Sequence, residues 1–215
     1  MNLVGHVAVA LPGREPAPST EFLVGCMLPD LAAIARVRLS RPTGPLGDGV
    51  AFHHTCDAAF HESEWFRSRN VELRDALLAS GVDHGPARAC AHAGVEMVLD
   101  GALMADPEVD THARATLVAV DTGADALEPL AAPEARAVWT ERLHLIGSSL
   151  DPGRYADPQF VAERLQRMTS GRRRIELRIE QVDAVADTLA RFQPGIDADA
   201  DAVVASVARA ARLGT

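Results

Sequence analysis

Histidine and carboxylate residues recur at four-residue spacing in two apolar segments of the sequence. The two sets are His53, Asp57 and His61, and His92, Glu96 and Asp100. Four residues advance an α-helix by about 400° and about 6 Å, so the members of each set project from one face. Imidazole and carboxylate groups in this arrangement are ligands for a divalent metal ion. Two side chains four residues apart can coordinate one ion. All three members, about 12 Å from end to end, suit two neighbouring ions, or one ion and a group that orients its ligands.

The surroundings of both sets favour a site over a solvated stripe of polar residues. Their neighbours are Ala, Val, Leu, Met, Phe and Cys, whereas i, i+4 pairs that only support a helix lie on exposed faces. Two such helices can face each other in a bundle and enclose a site. We therefore expect the helix with His53 and Asp57 to face the helix with Glu96 and Asp100.

Further ligands are available elsewhere in the chain. His6 lies in an apolar N-terminal segment, and Asp30 follows a proline. His54 is nearly eclipsed with His61 on a helix, so His54 is an alternative to His53. Capping or core roles are the expectation for the remaining histidines, which are His84, His112 and His144.

The ligand types limit the metal and suggest a reaction. Imidazole with carboxylate suits Zn, Mn or Fe, and a carboxylate-rich site also admits Mg. Such an ion can activate a bound water and neutralise negative charge on a substrate, which is the chemistry of a metal-dependent hydrolase. We expect His53, Asp57, Glu96 and Asp100 to be the catalytic set.

The composition predicts an all-α fold, a compact helical bundle. Only 4% of the 215 residues are aromatic and 47% are hydrophobic, mainly Ala, Leu and Val, which pack helices closely and are poor in strand-favouring types. The length predicts a single domain over 1–215. Within it, we expect the metal-site core over 1–125 and C-terminal helices packed on it over 126–215.

Helical periodicity and Pro- and Gly-rich stretches predict where the helices and loops lie. Loops are predicted at 12–19 and 41–49, and Pro29 is predicted to separate two helices. The predicted helices are 2–11, 20–28, 30–34, 50–63, 64–80, 86–104, 108–121, 133–146, 158–169, 172–192 and 198–213.

Charge and cysteine usage exclude several classes of protein. All 21 basic residues are arginine, and the net charge is −9, which argues against general nucleic-acid or anionic-membrane binding. Three cysteines without a C-x-x-C pair indicate reduced core thiols, and no apolar run approaches the roughly 18 residues that span a bilayer. We expect a soluble, cytoplasmic protein.

The chain resembles the acyl carrier protein phosphodiesterase family over most of its length. Its opening Met-Asn-Leu-Val-Gly-His6 resembles the family's Asn-Phe-Leu-Ala-His-Leu, and Phe22 to Asp30 resembles its Gly-Asn-x-x-Ala-Asp segment. His53 and Asp57 match its His-x-x-x-Asp, and Glu96 with Asp100 resembles its Asp-x-x-x-Asp-His helix. The final helices, 168–195, are similar as well.

The resemblance implies an all-helical, HD-like metal phosphohydrolase architecture and a divalent ion, usually Mn or Mg. It implies cleavage of the phosphopantetheine arm from acyl carrier protein, with that protein or a small phosphodiester as the partner. The sequence also departs from the family. The family's second Asp after His-x-x-x-Asp is His61 here, and the His of its Asp-His pair is Gly101.

Two other functions stay open. One is a degenerate family member that acts as a non-catalytic binding module, which the missing histidine at Gly101 favours. The other is a hydrolase like the zinc-dependent phospholipases and nucleases. A dense basic run contains Arg172 and Arg173, and we expect these two to bind a phosphate group or an acidic partner.

Overall fold

The computed structural model describes residues 1–12 and 17–213, and within these ranges the chain is all-helical, as predicted. The described residues form ten α-helices and no strand. The helices are α1 (Leu3–Ala10), α2 (Thr20–Ala35), α3 (Gly44–Glu62), α4 (Glu64–Ala79), α5 (His84–Leu103), α6 (Pro107–Thr122), α7 (Ala124–Leu127), α8 (Arg136–Ser149), α9 (Pro158–Thr169) and α10 (Val182–Leu213).

The chain divides into two compact units with interleaved segments. The first unit contains Met1–Ala59, Asp106–Asp151 and Ala205–Thr215, and the second contains Phe60–Ala105 and Pro152–Val204. Each unit takes segments from both sides of residue 125. The single domain with a core over 1–125 stays a prediction, as does the HD-like architecture.

The first unit is built around α2. This helix packs against α1, α6 and α8, and α6 packs along α8. Met27 and Leu31 of α2 and Trp139 of α8 are fully buried in the core of this unit. The Ser19 hydroxyl accepts a hydrogen bond from the Phe22 N–H at 3.2 Å and so caps the start of α2.

The predicted break at Pro29 is wrong, because α2 runs through it to Ala35. Pro29 has no N–H, which deprives the Gly25 carbonyl of its usual helical partner, but the apolar residues on both sides are buried and hold the helix together. α2 ends at Ala35, and the next residue, Arg36, caps the helix with a left-handed φ of 58°. α3 begins at Gly44, so the predicted 41–49 loop is shorter than expected. The predicted 12–19 loop includes residues 13–16, which lie outside the described residues.

The second unit is built around α5. α4, α9 and the short 3-10 helix Pro152–Ala156 all pack against α5. Gly94 lies in the middle of α5, where a Cβ would be 3.2 Å from a methyl group of Leu189. This small residue lets neighbouring side chains pack close to the α5 backbone.

The predicted helix over 172–192 is wrong in its first part, and its break before 198 does not exist. Residues 172–178 form turns and extended backbone, and α10 runs without interruption from Val182 through Pro194. Leu189 and Ile196 are both fully buried, two turns apart. The apolar face therefore continues across Pro194, and its packing outweighs the lost hydrogen bond.

Two smaller predictions concern thiols and membranes. Cys26, Cys56 and Cys90 are all buried, as expected for core thiols. Among the residues the structure describes, no helix combines the length and apolar character needed to cross a bilayer.

Candidate metal centre

Three helices bring two imidazoles and a carboxylate of the first unit together. α1 supplies His6, α2 supplies Asp30 and α3 supplies His53. One ring nitrogen of each histidine and one carboxylate oxygen lie within 4.8 Å of one another. His6 is completely buried and His53 is 4% exposed, while the Asp30 side chain is 24% exposed. The group therefore has two interior ligands and one that reaches solvent.

Backbone carbonyls fix the orientation of both rings. His53 Nδ1 donates to the Cys26 carbonyl oxygen at 2.8 Å, which leaves Nε2 as the ring's acceptor. His6 Nε2 lies 3.1 Å from the Met1 carbonyl oxygen and 3.8 Å from Asp30 Oδ2. The two rings stack with centroids 3.9 Å apart. A carbonyl that holds one ring nitrogen is a common support for a metal-binding histidine.

The buried atoms of this group are not all satisfied by the chain itself. His6 Nδ1 is buried and has no hydrogen-bond partner, which is a costly state for a polar atom. Burial lowers the pKa of His6 well below its ordinary value, and the neighbouring His53 lowers it further. Burial also lowers the pKa of His53 to about 4. Both rings are thus neutral near pH 7, which is the form that binds metal ions.

Close helix contact places His53 against α2. A Cβ on Gly25 would be 2.2 Å from the Leu46 carbonyl oxygen, and a Cβ on Gly49 would be 2.1 Å from the Phe22 carbonyl oxygen. Only glycine at both positions allows the α2 and α3 backbones to approach this closely. His53 follows one turn after Gly49 and so reaches the Cys26 carbonyl.

Asp57 lies one turn after His53 on α3. Its Oδ1 accepts a hydrogen bond from the Met1 amino group at 2.9 Å, and its side chain is 34% exposed. Its charge acts on both His6 and His53 and tends to raise the pKa of each. Asp57 is therefore close enough to this group to interact with a bound cation.

The second unit contains another group of the same composition. His61 Nε2 lies 2.9 Å and His92 Nε2 lies 3.4 Å from the same oxygen, Oε1 of Glu96. The three ligand atoms lie within 4.8 Å of one another. Burial disfavours the charged form of Glu96, but the hydrogen bond from His61 and the nearby His92 leave its pKa below the ordinary value.

An aromatic wall holds the two imidazoles of this second group. The Phe66 ring makes edge contacts with His61 and His92 at centroid distances of 4.8 and 5.1 Å. Phe60 packs on Phe66 at 4.7 Å, and both phenylalanines are buried. The wall limits the rotamers of both histidines and orders the ligand atoms.

Asp100 is fully buried in α5, and the residue after it has no space for a side chain. A Cβ on Gly101 would be 2.4 Å from the Tyr155 carbonyl carbon and 2.6 Å from the Ala156 nitrogen. Packing of the 3-10 helix against α5 therefore leaves room only for glycine at position 101.

The structure groups the predicted ligands differently from the four-residue spacing. His53 joins His6 and Asp30 from other helices, and His92 and Glu96 keep their predicted i, i+4 relation but gain His61. His54 lies beside His53 with the rings at 89° and is not part of the first group. Arg172 and Arg173 are exposed in a turn, and their role stays a prediction.

Sequence reasoning missed the groups that support the ligands. The Cys26 carbonyl, the Gly25 and Gly49 contact and the Phe66 wall all act through tertiary structure. The nearest local signal was Pro29, which deprives the Gly25 carbonyl of its helical partner, one residue before the carbonyl that His53 uses.

Comparisons of the chain with protein-family models, with curated proteins and with solved structures find no match.

Proposed function

We propose that the protein is a metal-dependent phosphodiester hydrolase whose ion is held by His6, Asp30 and His53. The convergence of two buried imidazoles and a carboxylate from three helices is the observation that carries the proposal. Two histidines and one carboxylate fit Mn, Fe or Zn, and three protein ligands leave coordination positions for water and substrate.

The chain's own residues would perform three tasks. The Cys26 carbonyl keeps His53 in one tautomer and orientation, which costs no reorganisation when substrate binds. Asp57 is partly exposed beside the ligands, so its carboxylate can accept a proton from the attacking water. When bound, a divalent ion supplies Lewis-acid chemistry, which activates water and neutralises charge on phosphoryl oxygens.

The substrate class follows from the resemblance to the acyl carrier protein phosphodiesterases. It makes the phosphopantetheine diester of that carrier protein the first substrate to test. Mn or Mg are the ions that the resemblance implies, and Zn is the ion that two imidazoles favour.

The test compares hydrolysis of a small chromogenic phosphodiester by the chelator-stripped protein with and without Mn. We expect activity to require the ion and to fall at least about 100-fold in His53→Ala, because a ligand is lost. His84→Ala is the matched control, since His84 is exposed and outside both ligand groups. Equal activity of His53→Ala and the unaltered protein would contradict the proposal.

A second assay separates the alternatives. Incubation with holo-acyl carrier protein, followed by a mass measurement, reports loss of the prosthetic arm. Cleavage of the small diester alone identifies a hydrolase with another substrate, such as one of the phospholipase or nuclease type. Metal binding without turnover of either substrate identifies a binding module.

A further inference from the structure

We propose that His61, His92 and Glu96 form a second metal site, which takes a divalent transition ion of the zinc class. The site lies in the second unit, and its argument does not depend on the hydrolase function proposed for the first group.

The spacing of the ligand atoms already suits a tetrahedral ion. Ligands bound to zinc at about 2.0–2.1 Å in a tetrahedron lie about 3.3–3.4 Å apart. His92 Nε2 is 3.4 Å and His61 Nε2 is 2.9 Å from Glu96 Oε1. Both nitrogen–oxygen distances therefore lie within a few tenths of an ångström of those in a tetrahedral zinc site, and all three ligand atoms lie within 4.8 Å of one another.

An ordinary helix-surface ion pair does not account for this arrangement. His92 and Glu96 alone would form a common i, i+4 pair on α5. The third member, His61, comes from α3, and its ring stacks on the His92 ring at 5.0 Å with 29° between the planes. Both imidazoles aim Nε2 at one carboxylate oxygen, which is the convergence that a cation requires.

The surroundings provide both rigidity and access. Phe66 packs its edge against both imidazoles from the protein side. The His92 side chain is 49% exposed and the Glu96 side chain is 14% exposed. An ion can thus reach the ligands from solvent and meet side chains that are already ordered.

The ligand chemistry selects the class of ion. Two imidazole nitrogens favour Zn, Co or Ni, and a single carboxylate supplies too few oxygens for Mg or Ca. The remaining coordination position would hold water, because only three protein ligands are available.

The experiment measures Zn bound per chain by equilibrium dialysis of the full-length, chelator-stripped protein. We expect the unaltered protein to bind two ions, and His92→Ala to bind one. His84→Ala is the matched control, because it removes an exposed histidine from the same helix, α5, and we expect it to keep two. Circular dichroism checks the fold, which should survive because His92 is half exposed.

A second variant and a second ion make the result decisive. Glu96→Gln should also remove one ion, and it should remove the absorption bands that Co adds at this site. Unchanged stoichiometry in both His92→Ala and Glu96→Gln overturns the proposal. Loss of both ions together in His92→Ala also overturns it, because the two groups would then not bind independently.

Failure here and failure of the proposed function are distinguishable. His53→Ala reports on the first group alone. If the protein binds one ion that His53→Ala removes and His92→Ala retains, the second site is rejected and the hydrolase proposal stands. If His92→Ala removes the one ion and His53→Ala retains it, the second site stands and the proposed ligand set of the hydrolase is rejected.

Discussion

His6 and His53 differ in how far the sequence could predict their roles. His53 was visible as a ligand-type residue in an apolar helix, but its spacing suggested Asp57 as its partner. The structure instead joins it to His6 and Asp30, which are separated from it by tens of residues. Burial keeps both imidazoles neutral. It depends on tertiary packing, so the spacing of histidines and carboxylates in the sequence does not predict it.

The clearest prediction for a single residue concerns Asp30. Asp30→Asn removes the anionic ligand of the first group but keeps the side-chain size, so we expect Mn affinity to fall at least about 100-fold. Asp57→Asn should have a smaller effect, about 10–100-fold, if Asp57 acts beside the ligands. Titration calorimetry measures both.

Asp48→Asn provides the control for Asp30→Asn. Asp48 is exposed on α3 and outside both ligand groups, so its loss should leave Mn affinity unchanged. An Asp30→Asn protein that binds Mn as tightly as this control would remove Asp30 from the ligand set.

The helices themselves were predicted better than their ends and contacts. Hydrophobic periodicity gave α4, α5, α6 and α9 to within a few residues, because each buries one continuous face. The sequence pattern also predicts helix breaks at Pro29 and before residue 198. Both breaks are absent from the structure, because packing overrides the local helix-breaking signal. The glycines that let α2 and α3 touch were not recognisable, because a single sequence does not show which backbones meet.

Gly49→Ala tests the contact between α2 and α3. Helix propensity alone predicts that Ala stabilises a helix over Gly by about 1 kcal/mol. The new Cβ would lie 2.1 Å from the Phe22 carbonyl oxygen, so we expect a net loss of about 1–3 kcal/mol in the free energy of unfolding. Urea denaturation measures the change, and Mn binding should weaken with it because His53 moves.

Gly195→Ala is the matched control for this substitution. Gly195 lies inside α10, and the nearest atom to its Cβ would be the end of the flexible Arg69 side chain at 3.6 Å. With no clash to offset propensity, we expect this variant to be at least as stable as the unaltered protein. A Gly49→Ala protein that gains stability to the same degree would show that the close contact is not a constraint.

Gly101→His tests whether position 101 has room for a further imidazole ligand. Its Cβ would lie 2.4 Å from the Tyr155 carbonyl carbon, so the imidazole must displace the 3-10 helix that packs there. We expect the free energy of unfolding to fall by about 1–3 kcal/mol, with no gain in metal affinity. Tighter Mn or Zn binding at unchanged stability would mean that position 101 can still supply a ligand.

For the molecule as a whole, charge is the property that bears on partners. The net charge of −9 opposes docking of an acidic carrier protein, yet screening confines such effects to about 10 Å at 0.1 M salt. Arg36 and Arg38 are exposed just beyond the end of α2, and Arg36 is about 9 Å along that helix from Asp30. Two exposed arginines therefore follow the helix that carries Asp30, despite the overall negative charge.

If acyl carrier protein is the substrate, reversing this local charge should slow its cleavage selectively. We expect Arg36→Glu with Arg38→Glu to lower kcat/KM for the holo-carrier protein about tenfold at low salt, with a smaller difference at high salt because steering is screened. The kcat/KM for the small chromogenic phosphodiester should stay the same, since neither arginine is a proposed ligand. Arg172→Glu with Arg173→Glu, measured in parallel, tests the docking role predicted from the sequence for the exposed turn after α9. Equal losses for the carrier protein and the small diester would show that the arginines support the fold or the ion rather than the acidic partner.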